Sequence, residues 1–262
     1  MARAKRFGRG GATPLKERSG TVLAAAILVV ALVLALLVVV PLASINLFGV
    51  EGVVRYLGEI SLLLIWAVSI ILGMSMAARQ IPRELEARTV YPLLAKPIRR
   101  SDLVLGKFLG AGLATTAAVL LFYLFFVLLC LSKGLVLGPA LAQAILLHIG
   151  FCFLLSALTV LGSTVFTPSA NLTCVSVVSL GVLLFGDRLL DLATRSEAAG
   201  AWFLRIVNLI GPHFEFFDLR LRVLHAWGPA PWSAVALALL YAAAYSTVLL
   251  VLACWRFNRR AL

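Results

Sequence analysis

Between Lys133 and Asp187 the chain reads GLVLGPALAQAILLHIGFCFLLSALTVLGSTVFTPSANLTCVSVVSLGVLLFG (residues 134–186), 53 residues without a single Asp, Glu, Lys or Arg. As one helix it would be roughly 80 Å long, against a hydrocarbon core of about 30 Å. It therefore has to turn back on itself. The best breaker is Gly162-Ser163-Thr164 followed by Thr167-Pro168-Ser169. The stretch thus divides into two membrane helices, about 139–161 and 170–186, joined by a tight turn.

Working outward, further charge-free runs occupy 22–40, 60–78, 108–132 and 232–255, interrupted by short charged segments. The run at 22–40 is longer than the roughly 7–15 residue apolar core of a cleavable signal peptide and reads as a retained first helix. The whole 262-residue chain is 62% hydrophobic and 13% charged, where about 25% charge is usual for a soluble domain. These numbers exclude a soluble enzyme. A porin-type barrel is excluded as well, because its strands would alternate polar and apolar residues. The expected fold is an all-α integral membrane protein of six transmembrane helices. It comprises a basic leader (1–20), one membrane domain (21–255) with an internal loop at 79–102 and an external segment at 187–231, and a basic tail (256–262).

The net charge of +12 would hint at nucleic acid in a soluble protein; here it is read first as topology, and no nucleic-acid partner is expected. With both termini in the cytoplasm, the inner side carries sixteen Lys/Arg and four Asp/Glu, and the outer side carries seven of each. All of the excess positive charge then lies inside, as the positive-inside rule requires. Residues 46–59 are expected outside or along the outer interface.

Candidate chemistry within the spans is sparse. Cys130, Cys152, Cys174 and Cys254 sit singly in apolar runs with no metal-binding spacing, and read as small buried hydrophobes. His148 is the one ionisable side chain, cysteine and tyrosine aside, in the fourth and fifth helices. A neutral histidine bonded to a neighbouring helix is favoured over a transport site. Lys107 is expected to snorkel to the inner interface. Gly106 and Gly110, with Gly112 and Ala114, form a small-residue surface suited to close helix packing. There is no phosphate-cradling loop: the only Gly-Lys, Gly106-Lys107, is followed by Phe108 and lacks the earlier glycine. Residues 201–210 read as an interfacial helix, and Trp227, Trp232, Tyr241 and Tyr245 as an aromatic anchor.

The internal loop runs RQIPRELEARTVYPLLAKPIRRSDLVLGKFLG (79–110). A short helix is expected from Pro82, with Glu84 and Glu86 near its positive end. Ile81, Leu85, Leu93 and Leu94 supply apolar anchors, and Pro92 and Pro97 break the backbone. Ser101-Asp102 is expected to cap the third helix.

This stretch resembles the loop between the second and third helices of ABC-2-type ABC exporter permeases. Arg83, Glu84, Glu86, Thr89, Leu93, Leu94, Pro97, Arg100, Gly106, Lys107 and Phe108 match that pattern. Arg88 stands where the family commonly has glycine, and Pro92 interrupts a turn. A second likeness, GPHFEFFDLR (211–220), is similar to a Pro-x-x-Glu-x-Phe-Asp segment in a branch that includes permeases of copper-enzyme maturation exporters. The resemblance implies a non-enzymatic permease subunit in a bacterial inner (cytoplasmic) membrane, coupled at Arg83 to Arg100 to a separate ATPase that holds ATP and Mg. It also implies a second permease copy or a paralogue. Pro212, Glu215, Phe217 and Asp218 become candidates for an outer gate, where an external accessory protein would also meet the chain. The apolar interior leans toward lipid, lipid-linked or hydrophobic peptide cargo. A secondary transporter or channel, and a non-transporting assembly scaffold, are the alternatives.

Overall fold

The structure, a computed structural model, describes residues 51–80, 100–132, 137–195, 211–225 and 227–259, together with Trp202, Arg205, Ile206 and Leu209. Every regular element among them is helical: α1 (Glu51–Ala78), α2 (Arg100–Ser132), α3 (Ala140–Val165), α4 (Pro168–Arg195), a 3₁₀ turn (Phe214–Phe217), α5 (Arg220–Leu224) and α6 (Trp232–Asn258). Among the described residues four helices are long and apolar enough to cross a membrane: Gly58–Ala78, Arg100–Leu128, Ala140–Val165 and Trp232–Asn258. Pro168–Leu183 is a shorter apolar helix. The chain is a multi-pass, all-helical membrane protein.

Four of the six expected membrane helices are thus seen as candidate spans, with different limits, and the fifth overlaps the shorter apolar helix Pro168–Leu183. The run at 22–40, the leader, the loop residues 81–99 and most of 201–210 lie outside the described residues. α1 begins at Glu51, so the expected interfacial stretch 46–59 is helical over its second half. The cap assigned to Ser101-Asp102 is not one: Arg100 is already helical, and Asp102 sits in the first described turn, where a carboxylate still favours the positive end of the helix dipole. α6 runs past Trp255 to Asn258 and carries Arg256 in its last turn.

Prolines set three helix starts. Pro139 precedes α3, Pro168 is the first residue of α4 and Pro231 precedes α6, positions where the missing N–H costs no hydrogen bond. The α3–α4 turn is only Phe166-Thr167. Phe166 turns extended while its N–H still bonds the Gly162 carbonyl at 2.8 Å. Gly162 itself stays helical, and its role is clearance: the Asn171 side chain lies directly on it, leaving no room for a β-carbon. From there the Asn171 Nδ2 donates to the Thr159 carbonyl of α3 at 2.9 Å.

α3 is the central helix, touching α2, α4, α6, the 3₁₀ turn and α5. At the end where α2 starts and α6 finishes, Ala77, Val104, Ala111, Val160, Ala253 and Phe257 form one buried cluster from four helices. The Arg100 guanidinium closes it by donating to the Asn258 carbonyl at 3.4 Å. Hydroxyls inside the spans are tolerated because most bond to their own helix: Thr115 to Ala111, Ser156 to Cys152, Thr159 to Leu155 and Ser163 to Val160, all at 2.7–2.8 Å.

Candidate functional site: a seated segment between the helices

Residues 211–225 do not lie on the surface as a loop. Phe214 and Phe217 are fully buried, and Pro212 is buried with them. Phe214 meets Phe151 of α3 edge-on at 5.0 Å, and a β-carbon on Gly150 would stand 3.4 Å from the Phe217 ring. Gly150 is ten residues into α3, about 15 Å along an axis of roughly 39 Å. The turn therefore reaches well down between the helices, which a non-helical backbone does at membrane depth only when enclosed by protein or lining an aqueous cavity.

Each neighbour supplies a seat. On α4 the Glu215 carboxylate occupies the space where Gly186 has no side chain. On α6 the Tyr241 hydroxyl accepts from the His213 backbone N–H at 3.0 Å, and the His213 ring stacks on Phe216 at 5.3 Å. On α1, Leu224 fills the notch at Gly58, and His225 Nε2 stands 3.6 Å from Glu59 Oε1. The sharp turns need local closure, and Asp218 supplies it: its carboxylate accepts from the Arg220 backbone N–H at 3.0 Å and takes the Arg220 guanidinium in a two-point pair. The guanidinium also lies 5.4 Å over the Trp66 ring of α1. Paired this way, the two part-buried charges neutralise each other.

Just beneath sits a buried polar chain. Ser69 donates its hydroxyl hydrogen to the Trp66 carbonyl at 2.7 Å, so its oxygen must accept from His148 Nε2, 2.8 Å away. Nδ1 of His148 is then left to accept from the Tyr123 hydroxyl at 3.0 Å. One arrangement satisfies every donor: Tyr123 to His148 to Ser69 to Trp66, with a neutral imidazole protonated on Nε2. His148 is thus held from two helices, α1 and α2, the arrangement favoured from sequence.

Of the residues singled out in sequence, Pro212, Glu215, Phe217 and Asp218 come together in this segment. Arg100 is at the opposite end of α2. Among the described residues nothing lies within 4 Å of a β-carbon added at Gly106 or Gly110; Gly112 is the one packed, against Phe153. Arg83, Glu84, Glu86, Arg88, Thr89, Leu93, Leu94 and Pro97 fall outside the described residues. Sequence reasoning missed Trp66, Ser69, Tyr123 and Gln143, because it weighed charges within the apolar runs and passed over uncharged polar groups. Among the described residues no cluster of three or more His, Cys, Asp or Glu is placed to hold a metal ion.

No curated protein matches the chain. Residues 61–262, however, match the family described as ABC-2 family transporter protein. The match takes in all of the seated segment and each described spanning helix from Ser61 onward, so the chain belongs to the ABC-2 family of transporter proteins, the membrane components of ABC transporters.

Proposed function

We propose that this chain is the permease subunit of an ABC exporter in the bacterial inner membrane, with six spanning helices and both termini in the cytoplasm. The ATP and Mg sites are on a separate ATPase that docks under the loop 79–102 through Arg83, Glu84, Glu86, Arg88, Thr89, Leu93, Leu94, Pro97 and Arg100. The supporting observation is the seated segment 211–225 in a member of a transporter family. Its aromatic pair Phe214 and Phe217 is buried among the helices, while Arg100, Lys107, Arg256 and Arg259 belong to the end where α2 starts and α6 finishes. Pro212, Glu215, Phe217 and Asp218 act as the outer gate, whose withdrawal opens a path away from the cytoplasm. The likeness of 211–220 to the copper-enzyme maturation branch supports placing the chain there.

The outward face of α2 is the seat of a second copy or a paralogue. Gly106 and Gly110 are open there, and Leu109 and Leu113 are 49% and 59% exposed beside them. Trp202 and Trp227, 69% and 64% exposed, suit the outer membrane interface or an external accessory protein.

The test is purification of the tagged protein in mild detergent and reconstitution into liposomes. An ATPase subunit should co-purify, and ATP should drive vectorial transport. Transport without any ATPase would replace this reading by a secondary transporter or channel; an ATP-independent complex with no transport would make the protein a scaffold.

A further inference from the structure

We propose that the buried chain from Tyr123 through His148 to Ser69 is the latch of the seated segment: it holds the Trp66 ring in the pose on which residues 211–225 rest. His148 is a positioning residue in this device and acts on the segment through Trp66. That release of the segment is a transport step rests on the permease reading above; the latch rests on the contacts alone.

Two sets of contacts meet on one indole. Trp66 of α1 is buried, and its ring lies 4.7 Å from the His148 ring and 4.5 Å from the Phe151 ring. Those two side chains stand three residues apart on α3, and therefore on one side of it, with ring centroids 5.8 Å from each other. Rings on opposite faces of the indole would stand much farther apart, so both press on the same side of Trp66. The segment uses the same platform. The Arg220 guanidinium lies 5.4 Å over the Trp66 ring, and Phe214 meets Phe151 edge-on at 5.0 Å. A shift of Trp66 thus reaches Arg220 directly and Phe214 through Phe151. Arg220 is also where α5 begins, so the platform bears on the bend between the two halves of the segment.

Hydrogen bonding fixes the platform. A neutral imidazole has one donor and one acceptor, and each is used on a different helix: Nε2 donates to Ser69 of α1 at 2.8 Å, and Nδ1 accepts from Tyr123 of α2 at 3.0 Å. The Ser69 hydroxyl then donates to the Trp66 carbonyl at 2.7 Å, which puts the last bond of the chain on the residue that carries the indole. All three side chains are buried. Parting α1 or α2 from α3 therefore strands a polar group where no water replaces its partner. A half-made chain always leaves an orphan, so the latch is either closed or open.

Hydrogen exchange of the full chain in nanodiscs tests this, because exchange within a segment reads how much of the time that segment is open. His148→Phe keeps an aromatic ring and removes both bonds. Amides of 211–225 should then exchange at least about tenfold faster, while those of 157–161, further along α3, stay unchanged. His148→Gln again offers one donor and one acceptor and should return the rate to within about twofold of wild type. Should His148→Phe not fold, Tyr123→Phe decides: it deletes one hydroxyl and should speed the segment about fivefold. Ser156→Ala removes a buried hydroxyl whose bond, to the Cys152 carbonyl at 2.8 Å, stays within α3, and should leave the segment as it was. The order of action is read in Trp66→Leu, which lacks the platform. There the segment should already exchange fast, and adding Tyr123→Phe should change it by less than about twofold. Unchanged exchange in 211–225, an equal rise in 157–161, no recovery in His148→Gln, a faster segment in Ser156→Ala, or multiplied effects in the Trp66→Leu pair overturns the latch. If the expected pattern holds and no ATPase associates with the chain, the permease reading fails and the latch stands.

Discussion

The side-chain amide of Gln143 pairs with both backbone groups of Ala230: its Oε1 accepts from the Ala230 N–H at 2.8 Å, and its Nε2 donates to the Ala230 carbonyl at 2.9 Å. Gln143 is fully buried in the first turn of α3, and Ala230 lies just before α6. The pair works as a cross-strand ladder rung would, on two segments that have no sheet. It fixes where α6 begins, and with it the height of Tyr241 against His213.

Gln143→Leu should therefore strand two backbone groups and cost about 1–3 kcal/mol. Thermal unfolding in detergent should show a lower Tm, with faster proteolysis between Trp227 and Pro231. An unchanged Tm would mean that water replaces the pair at no penalty.

The seated segment should separate its three phenylalanines by burial. Phe214→Ala and Phe217→Ala remove fully buried rings and should each cost about 3–5 kcal/mol. Phe216 is 50% exposed, so Phe216→Ala should cost less than about 1 kcal/mol. Chemical unfolding of the three variants side by side checks the order. Equal effects would show that the turn leaves its seat readily.

The glycines of α2 should divide between assembly and folding. A β-carbon at Gly106 or Gly110 meets nothing among the described residues, so Gly106→Leu and Gly110→Leu should fold with wild-type yield yet shift the oligomer toward monomer. Gly112→Leu drives a β-carbon to 2.7 Å from the Phe153 ring and should lower the yield of folded protein, at a cost of about 1–3 kcal/mol. Size-exclusion chromatography with light scattering distinguishes the two. Loss of folding in Gly106→Leu would place these glycines in an internal contact.

The loop 79–102 should separate docking from topology. Glu84→Lys with Glu86→Lys should lower ATPase association and stimulated ATP turnover while insertion stays intact, because Lys96, Arg99 and Arg100 still hold the loop inside. Normal association and export in that double variant would reduce the loop to a topogenic element. Replacing Lys96, Arg99 and Arg100 together should instead disturb orientation first, read by cysteine labelling at Ser196 and Ala261.

The spans were legible because charge is nearly absent from them, and Pro168 marked the turn within the 53-residue run. The seat of residues 211–225 was not. Charge counting sees Glu215, Asp218 and Arg220 and assigns a charged external segment without any depth, whereas Asp218 and Arg220 neutralise each other as a part-buried pair beside the buried rings. The hint lay in Phe214-Glu215-Phe216-Phe217, three aromatics in four residues, whose burial outweighs the charges beside them. The cap at Ser101-Asp102 failed for a related reason: local preference marks where a helix can start, while Arg100 gains by starting earlier and reaching Asn258. The partners of His148 were beyond reach because Ser69 and Tyr123 are 79 and 25 residues away along the chain.

The placement of Asn171 on Gly162 also limits how this molecule can move. With a two-residue connection and an amide wedged against bare backbone, α3 and α4 have no slack between them, so they behave as the two arms of a welded elbow. Any stroke delivered to one arm is passed to the other without lost travel. On its other side α3 packs more extensively against α6 than against any other described element, so a stroke that reaches the elbow is handed on to α6.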